Sequence, residues 1–178
     1  MIRLLFETLP MIADLCRNPP AWEGLLINKR KPHTYRLFTQ VGENRVCLHR
    51  FDACSESESL KHPHPWPGAF LVLNGSYRMW TGRSQDRVSP PADGPEFLLT
   101  PGSAYQITNP LDWHSVVPLE ETWTVMINGP RWDDESRHEK APTTGGKGLK
   151  AISEFEKTMM LPGFEGLIRQ QIACMESF

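Results

Sequence analysis

Residues 62–77 read His62-Pro63-His64-Pro65-Trp66-Pro67-Gly68-Ala69-Phe70-Leu71-Val72-Leu73-Asn74-Gly75-Ser76-Tyr77. His62 and His64 are alternate residues, and alternate residues of an extended chain point to the same side. Pro63 and Pro65 favour that extended conformation and remove backbone donors that would compete for it. Two imidazoles are thereby offered to one ion. Immediately downstream, Ala69-Phe70-Leu71-Val72-Leu73 is short, apolar and bounded by glycine and asparagine, the pattern of a strand.

The same pattern recurs to either side. Tyr35-Arg36-Leu37-Phe38, Arg45 to Phe51, Glu96-Phe97-Leu98-Leu99, Tyr105-Gln106-Ile107, His114-Ser115-Val116-Val117 and Thr122 to Ile127 are each short, β-branched or aromatic, and closed by turn residues. Many short strands with such punctuation argue for an all-β sandwich or barrel. Sixteen prolines and 13 glycines suit that architecture better than a helical bundle. Ser84 to Pro95 is polar and proline-rich, a surface loop between strands.

Helices are expected only at the ends. Leu4, Leu5, Leu9, Ile12 and Leu15 recur at roughly helical spacing, interrupted by Pro10, so residues 1–17 form one short helix or two pieces. Asn18-Pro19-Pro20 stops it. Leu149, Ile152, Phe155 and Met159 repeat the spacing near the other end, where Pro162-Gly163 predicts a break between two helices. The organisation expected is a helical extension over 1–33, a barrel over 34–132, a charged and then glycine-rich linker over 133–148, and a helical extension over 149–178.

Bulk properties exclude several classes. A net charge of -2 and no extended Lys/Arg cluster leave no electrostatic footprint for nucleic acid. The Lys29-Arg30-Lys31 run reads as a solvated loop. No apolar stretch approaches the ~20 residues that span a bilayer. The N-terminus carries Glu7 and Asp14 and reads poorly as a signal peptide. The four cysteines form no C-x-x-C pair and no disulfide framework, which points to the cytoplasm, and Cys47 reads as a small core residue.

A third imidazole from a distant strand would complete a facial cap, and His114, opening a strand after the turn at Asn109-Pro110, is the candidate. Three neutral nitrogens with the remaining positions open make a catalytic rather than a structural site. Imidazole suits iron, zinc, nickel and copper, so the ligands imply one divalent transition metal without choosing it. Taken alone, an H-x-H in a proline-rich segment is more often an ordinary loop. His33 and His138 lie in loop-like sequence and are assigned no role.

The run His62 to Trp66, followed by Phe70 to Tyr77, resembles the first motif of the cupin superfamily: an H-x-H, an acidic ligand, then a strand ending in glycine at a hairpin. Thr100-Pro101-Gly102-Ser103-Ala104-Tyr105, continuing to Asp112-Trp113-His114, resembles the second. Thr122 to Arg131 looks like the last strand of a bacterial cupin group with an H-x-H-P-W signature. The resemblance covers about residues 34–132 and implies a double-stranded β-helix, or jelly-roll barrel. It departs from the pattern where many cupins carry a glutamate, since Gly68 and Ala69 stand there, and in lacking P-x-G-x-x-H before His114. It therefore implies a metal held by His62, His64 and His114 alone.

Without a carboxylate ligand the ion keeps its double charge and favours an anionic or chelating substrate. By analogy with cupin dioxygenases the first expectation is an oxygenase acting on a small organic molecule. An isomerase or lyase of sugar or keto-acid type, and a non-catalytic ligand-binding cupin, stay open beside it. Of His49 and Arg50 only one can face the interior: His49 would be a base or fourth ligand, Arg50 a carboxylate clamp. Tyr105 joins them as a catalytic candidate. Arg36, Trp66, Tyr77 and Trp113 are substrate-binding candidates, and Asp112 is either a partner orienting an imidazole or a turn residue. Cupins commonly pair, and the terminal helices have Phe155, Leu161 and Phe164 to bury, so a homodimer is expected.

Overall fold

A computed structural model describes residues 1–27, 31–132 and 149–177. The expected linker over 133–148, with His138, lies outside them. Helix α1 spans Ile2–Leu15 and α2 spans Glu154–Glu176. The strands are β1 Glu23–Leu26, β2 Thr34–Val41, β3 Asn44–Phe51, β4 His62–Pro63, β5 Gly68–Asn74, β6 Tyr77–Arg83, β7 Glu96–Leu99, β8 Ala104–Ile107, β9 Asp112–Pro118, β10 Thr122–Asn128 and β11 Lys150–Ala151. Among the described residues they form two antiparallel sheets, in the order β11-β1-β2-β3-β10-β5-β8 and β4-β9-β6-β7. The chain is thus mostly β, with a helix at each end.

Alternation along the strands splits the large sheet into two apolar faces. Leu37, Val46, Leu48, Ala69, Leu71, Leu73, Val125 and Ile127 point outward and are covered by α1 and α2. Cys47, Phe70 and Met126 point the other way with Ile107, and Val72 and Tyr105 meet Tyr77, Met79 and Val116 of the small sheet. Burying each large aliphatic side chain stabilises the fold by about 1.5–3 kcal/mol. Cys47, 3% exposed, is a core residue as expected.

At the N-terminal end the structure takes the one-helix alternative; at the C-terminal end it departs from expectation. Helix α1 runs unbroken through Pro10, because Leu5, Leu9, Ile12 and Ala13 are buried on one face while Pro10 sits on the exposed side. Helix α2 is one helix, not two. Pro162 is exposed, so the carbonyl it leaves unpaired faces water, while Met160, Leu161, Phe164 and Ile168 pack against the sheet on both sides of it. Gly163 lies under the Trp123 ring, where a Cβ would stand 3.0 Å from it. The helix begins at the Ser153–Glu156 capping box rather than near Leu149, which rotates its buried face. Phe155 is consequently 74% exposed, and Leu161 and Phe164 are buried within their own chain. Two of the three residues that argued for a homodimer therefore need no partner.

The flanks also belong to the sheet. Strand β1 pairs with β2, and β11 pairs with β1, so the segment before residue 34 is not simply a helical extension. Lys157 Nζ, buried, donates to the Trp22 carbonyl at 2.7 Å, and Trp22 Nε1 donates to the Leu15 carbonyl at 2.9 Å, tying both helices to one core. Strand β6, which the sequence pattern left unassigned, is central to the small sheet. No described helix is long and apolar enough to cross a membrane.

Candidate metal centre

The small sheet brings the histidines together. His62 lies directly opposite His114 in the β4–β9 ladder, and His64, two residues on, turns its ring to the same point. The ligand atoms of the three lie within 4.8 Å of one another. Ring centroids are 4.7 Å apart for His62 and His114, 4.8 Å for His64 and His114, and 5.1 Å for His62 and His64. His64 Nε2 and His114 Nε2 approach to 2.8 Å. Fifty residues of chain separate these two rings, and only strand pairing closes that distance.

Neighbouring groups orient the rings. His62 Nδ1 donates to the Leu60 carbonyl at 3.0 Å, which leaves its Nε2 lone pair free. The Tyr105 hydroxyl sits 3.4 Å from His114 Nδ1. Phe70 packs against His64 and His114 and stacks flat on Tyr105 at 4.5 Å. The backbone of His64 is held as well, since its carbonyl accepts from Arg87 Nη2 at 3.1 Å and from Trp132 Nε1 at 3.0 Å.

No protein-family model matches this chain, and no curated protein is similar to it. Solved structures with similar backbones include the hydroxypropylphosphonic acid epoxidase from S. wedmorenis, at 11% identity and a TM-score of 0.47 over 60% of this chain. The chain spans 55% of that protein's length. They also include a conserved protein of unknown function from Streptococcus pyogenes, at 10% identity and TM-score 0.43 over 58% of this chain and 79% of the other. A cupin superfamily protein from Desulfitobacterium hafniense matches at 14% identity and TM-score 0.43, over 57% and 81%.

Burial sets the charge state of the site. His64 and His114 are held well below the ordinary histidine range, first by desolvation and then by the other imidazoles. His62 is lowered for the same first reason, and the Leu60 carbonyl offsets part of it. All three are therefore neutral near pH 7, the state in which imidazole ligates a metal. Among the described residues the cluster contains no carboxylate, and Gly68 and Ala69 stand where many cupins carry an acid.

A cation stands beside it instead. Arg36, His49 and Thr124 form one row across β2, β3 and β10 on the inner face. Arg36 Nε donates to His49 Nε2 at 2.7 Å. Its Nη groups have no protein partner among the described residues, and its charge adds to the lowering of His62 and His64. His49, 4% exposed, faces inward as the first alternative allowed. Because its Nε2 lone pair is taken by Arg36, that nitrogen is no free base or fourth ligand.

Two candidates are not brought to the centre. Arg50 points to the helix-covered face, its guanidinium 4.2 Å from the Tyr35 ring centroid and its Nε 3.9 Å from Glu121. Period-two alternation forbids it to share the interior with His49. Trp113 lies opposite to His114 for the same reason, fully buried, with Nε1 donating to the Asp86 carbonyl at 3.2 Å. Trp66 does pack into the inner cluster, and its buried indole N–H has no partner among the described residues. Tyr77 is buried behind Tyr105 and touches the centre through it. Asp112 is spent on a 2.7 Å ion pair with Arg83. The residues that sequence reasoning missed are Arg87, Trp132 and Phe70. Arg87 carried no signal, since it lies in a loop that reads as mere surface.

Proposed function

We propose that His62, His64 and His114 hold one divalent transition metal (iron, zinc or nickel) inside a cupin-type double-stranded β-helix, in an enzyme acting on a small anionic or chelating molecule. The observation that carries this is the convergence of three neutral imidazoles, two buried and one half-buried, beside a guanidinium that no carboxylate among the described residues neutralises. A buried cation without a counter-ion is costly, and so is a bound dication next to it. An anionic substrate relieves both. When bound, the metal supplies a Lewis-acidic centre that is also redox-active if it is iron.

The remaining roles fall to the chain's own side chains. Arg36, fixed by His49, offers paired donors to a carboxylate or enolate oxygen. The Trp66 indole N–H is a second donor on the inner wall, and Phe70 and Met126 keep that wall dry. Tyr105, 3.4 Å from His114 Nδ1, positions that ring. The reaction class favoured is a three-histidine oxygenase, supported by the all-nitrogen ligand set and the motif resemblance of residues 62–77 and 100–114. Four unpaired cysteines support a reducing compartment such as the cytoplasm.

Two measurements test the reading. Elemental analysis of protein purified without added metal is expected to find about one transition metal per chain, lost in His62→Ala, His64→Ala and His114→Ala. Far less than one metal in the parent protein removes the proposal. Oxygen uptake after anaerobic iron loading, with small carboxylates as substrates, then separates an oxygenase from an isomerase or lyase, whose turnover is indifferent to oxygen.

A further inference from the structure

The outer face of the small sheet carries a groove of about 270 Å³ on the opposite side from the three imidazoles. Alternation builds it. Ser115 and Val117 follow His114 with their side chains reversed, Trp80 precedes the inward Thr81, and Lys61 precedes His62. Trp80, Ser115 and Val117 form a floor that is 8%, 5% and 6% exposed, while Lys61 and Arg78 line the sides with the exposed Glu56 and Glu96.

Three donors open onto this groove without adequate partners. The Ser115 hydroxyl belongs to a residue only 5% exposed, yet it has no hydrogen-bond partner among the described residues. Lys61 Nζ rests 3.8 Å from the Trp80 ring centroid and has no ion pair among those residues. Arg78 reaches Glu96 only at 4.0 Å, with both side chains about half exposed, and such a pair contributes little. Two cations and a serine hydroxyl that line one groove with an aromatic and a valine match an acceptor with an apolar body.

We propose that this groove is a second binding site, for a small organic carboxylate. The carboxylate oxygens accept from Lys61, Arg78 and the Ser115 hydroxyl, and the apolar body lies along Val117 and the Trp80 indole. Glu96 gives up its weak contact with Arg78 as the ligand enters. This site rests on no metal and on none of the three histidines.

The test is a benzoate titration of the full-length, metal-free chain, followed by ¹⁵N–¹H resonances of the Ser115 amide and the Trp80 indole. A saturable shift of both is expected, with no shift from benzyl alcohol. Lys61→Gln and Arg78→Gln, at side chains in contact with water, should each weaken binding about tenfold, and Ser115→Ala should weaken it less. The proposal is overturned if benzoate leaves both resonances unmoved, if it moves them with equal affinity in Lys61→Gln, or if the shifts fall on Tyr105 and spare Trp80. Concentration-dependent dimerisation that buries Trp80 and is indifferent to benzoate would overturn it too, by assigning the groove to a second copy of the chain.

Discussion

Replacing Tyr105 with phenylalanine removes one oxygen from the candidate centre and leaves its packing in place. The ring remains stacked on Phe70 at 4.5 Å with an interplanar angle of 4°. What is lost is the oxygen 3.4 Å from His114 Nδ1. Partners of this kind behind a metal ligand are worth roughly 10–100-fold in affinity. A 3.4 Å separation is long for such a contact, so the low end applies: about tenfold, or ~1.4 kcal/mol. Competition between the purified chain and a chelator for cobalt(II) or zinc measures it directly, and the cobalt spectrum reports whether the ligand set is unchanged. His114→Ala in the same assay should cost far more, because it removes a ligand rather than its support. A Tyr105→Phe affinity within twofold of the parent would refute the claim that Tyr105 positions His114. An unchanged affinity in His114→Ala would refute the centre itself.

Arg36→Met should leave metal stoichiometry intact while weakening oxalate binding to the metal-loaded chain by about 10–100-fold, the worth of a charged hydrogen bond of ~1.5–3 kcal/mol; isothermal titration reads this, and equal affinity removes Arg36 from the substrate site. The buried histidines fix the sign of the pH dependence. Their folded values lie below the unfolded 6.5, so the unfolded chain binds protons first, and urea stability of the metal-free protein is full above about pH 6.5 and falls as the pH drops below it. A flat profile from pH 7 to 5 contradicts the burial of the site. Gly75→Ala should destabilise the fold by about 1–3 kcal/mol, because φ is +73° there and the new Cβ would meet the Glu121 carbonyl oxygen. Gly42→Ala, also at positive φ but with nothing within 4 Å, should cost less in the same thermal melts.

Much of the architecture was legible because strands of this kind advertise themselves. Seven were read within a few residues of their ends, from β-branched and aromatic runs closed by glycine, proline or asparagine. Strand β6 was missed although Tyr77, Met79 and Thr81 alternate correctly, because Arg78 and Gly82 break up the apolar signal. Strands β1 and β11 are too short to carry a period: β1 exists because β2 offers an edge, and β11 because β1 then offers the next. The helices were placed correctly and α1 took the one-helix alternative, but α2 was divided wrongly, since proline penalties are local while the packing of Leu161 and Phe164 is not.

At the site the division is similar. His62 and His64 were paired by their spacing alone, because an extended chain with proline on either side leaves two imidazoles one direction to face. His114 was the candidate because it opens a strand after the Asn109-Pro110 turn, and the cupin resemblance pointed to the same residue. Its meeting with His62 depends on the β4–β9 register, a long-range pairing that no local pattern encodes. The choice between His49 and Arg50 was open in the sequence, since alternation says that one faces inward but not which. Only the second sheet, by defining where inside is, turned His49 and Arg36 toward the imidazoles and sent Arg50 and Trp113 away. Residue order determined the elements and the likeliest ligands, because those follow from local conformational preference. Tertiary structure decided which faces meet, because that depends on burying both sides of the large sheet at once.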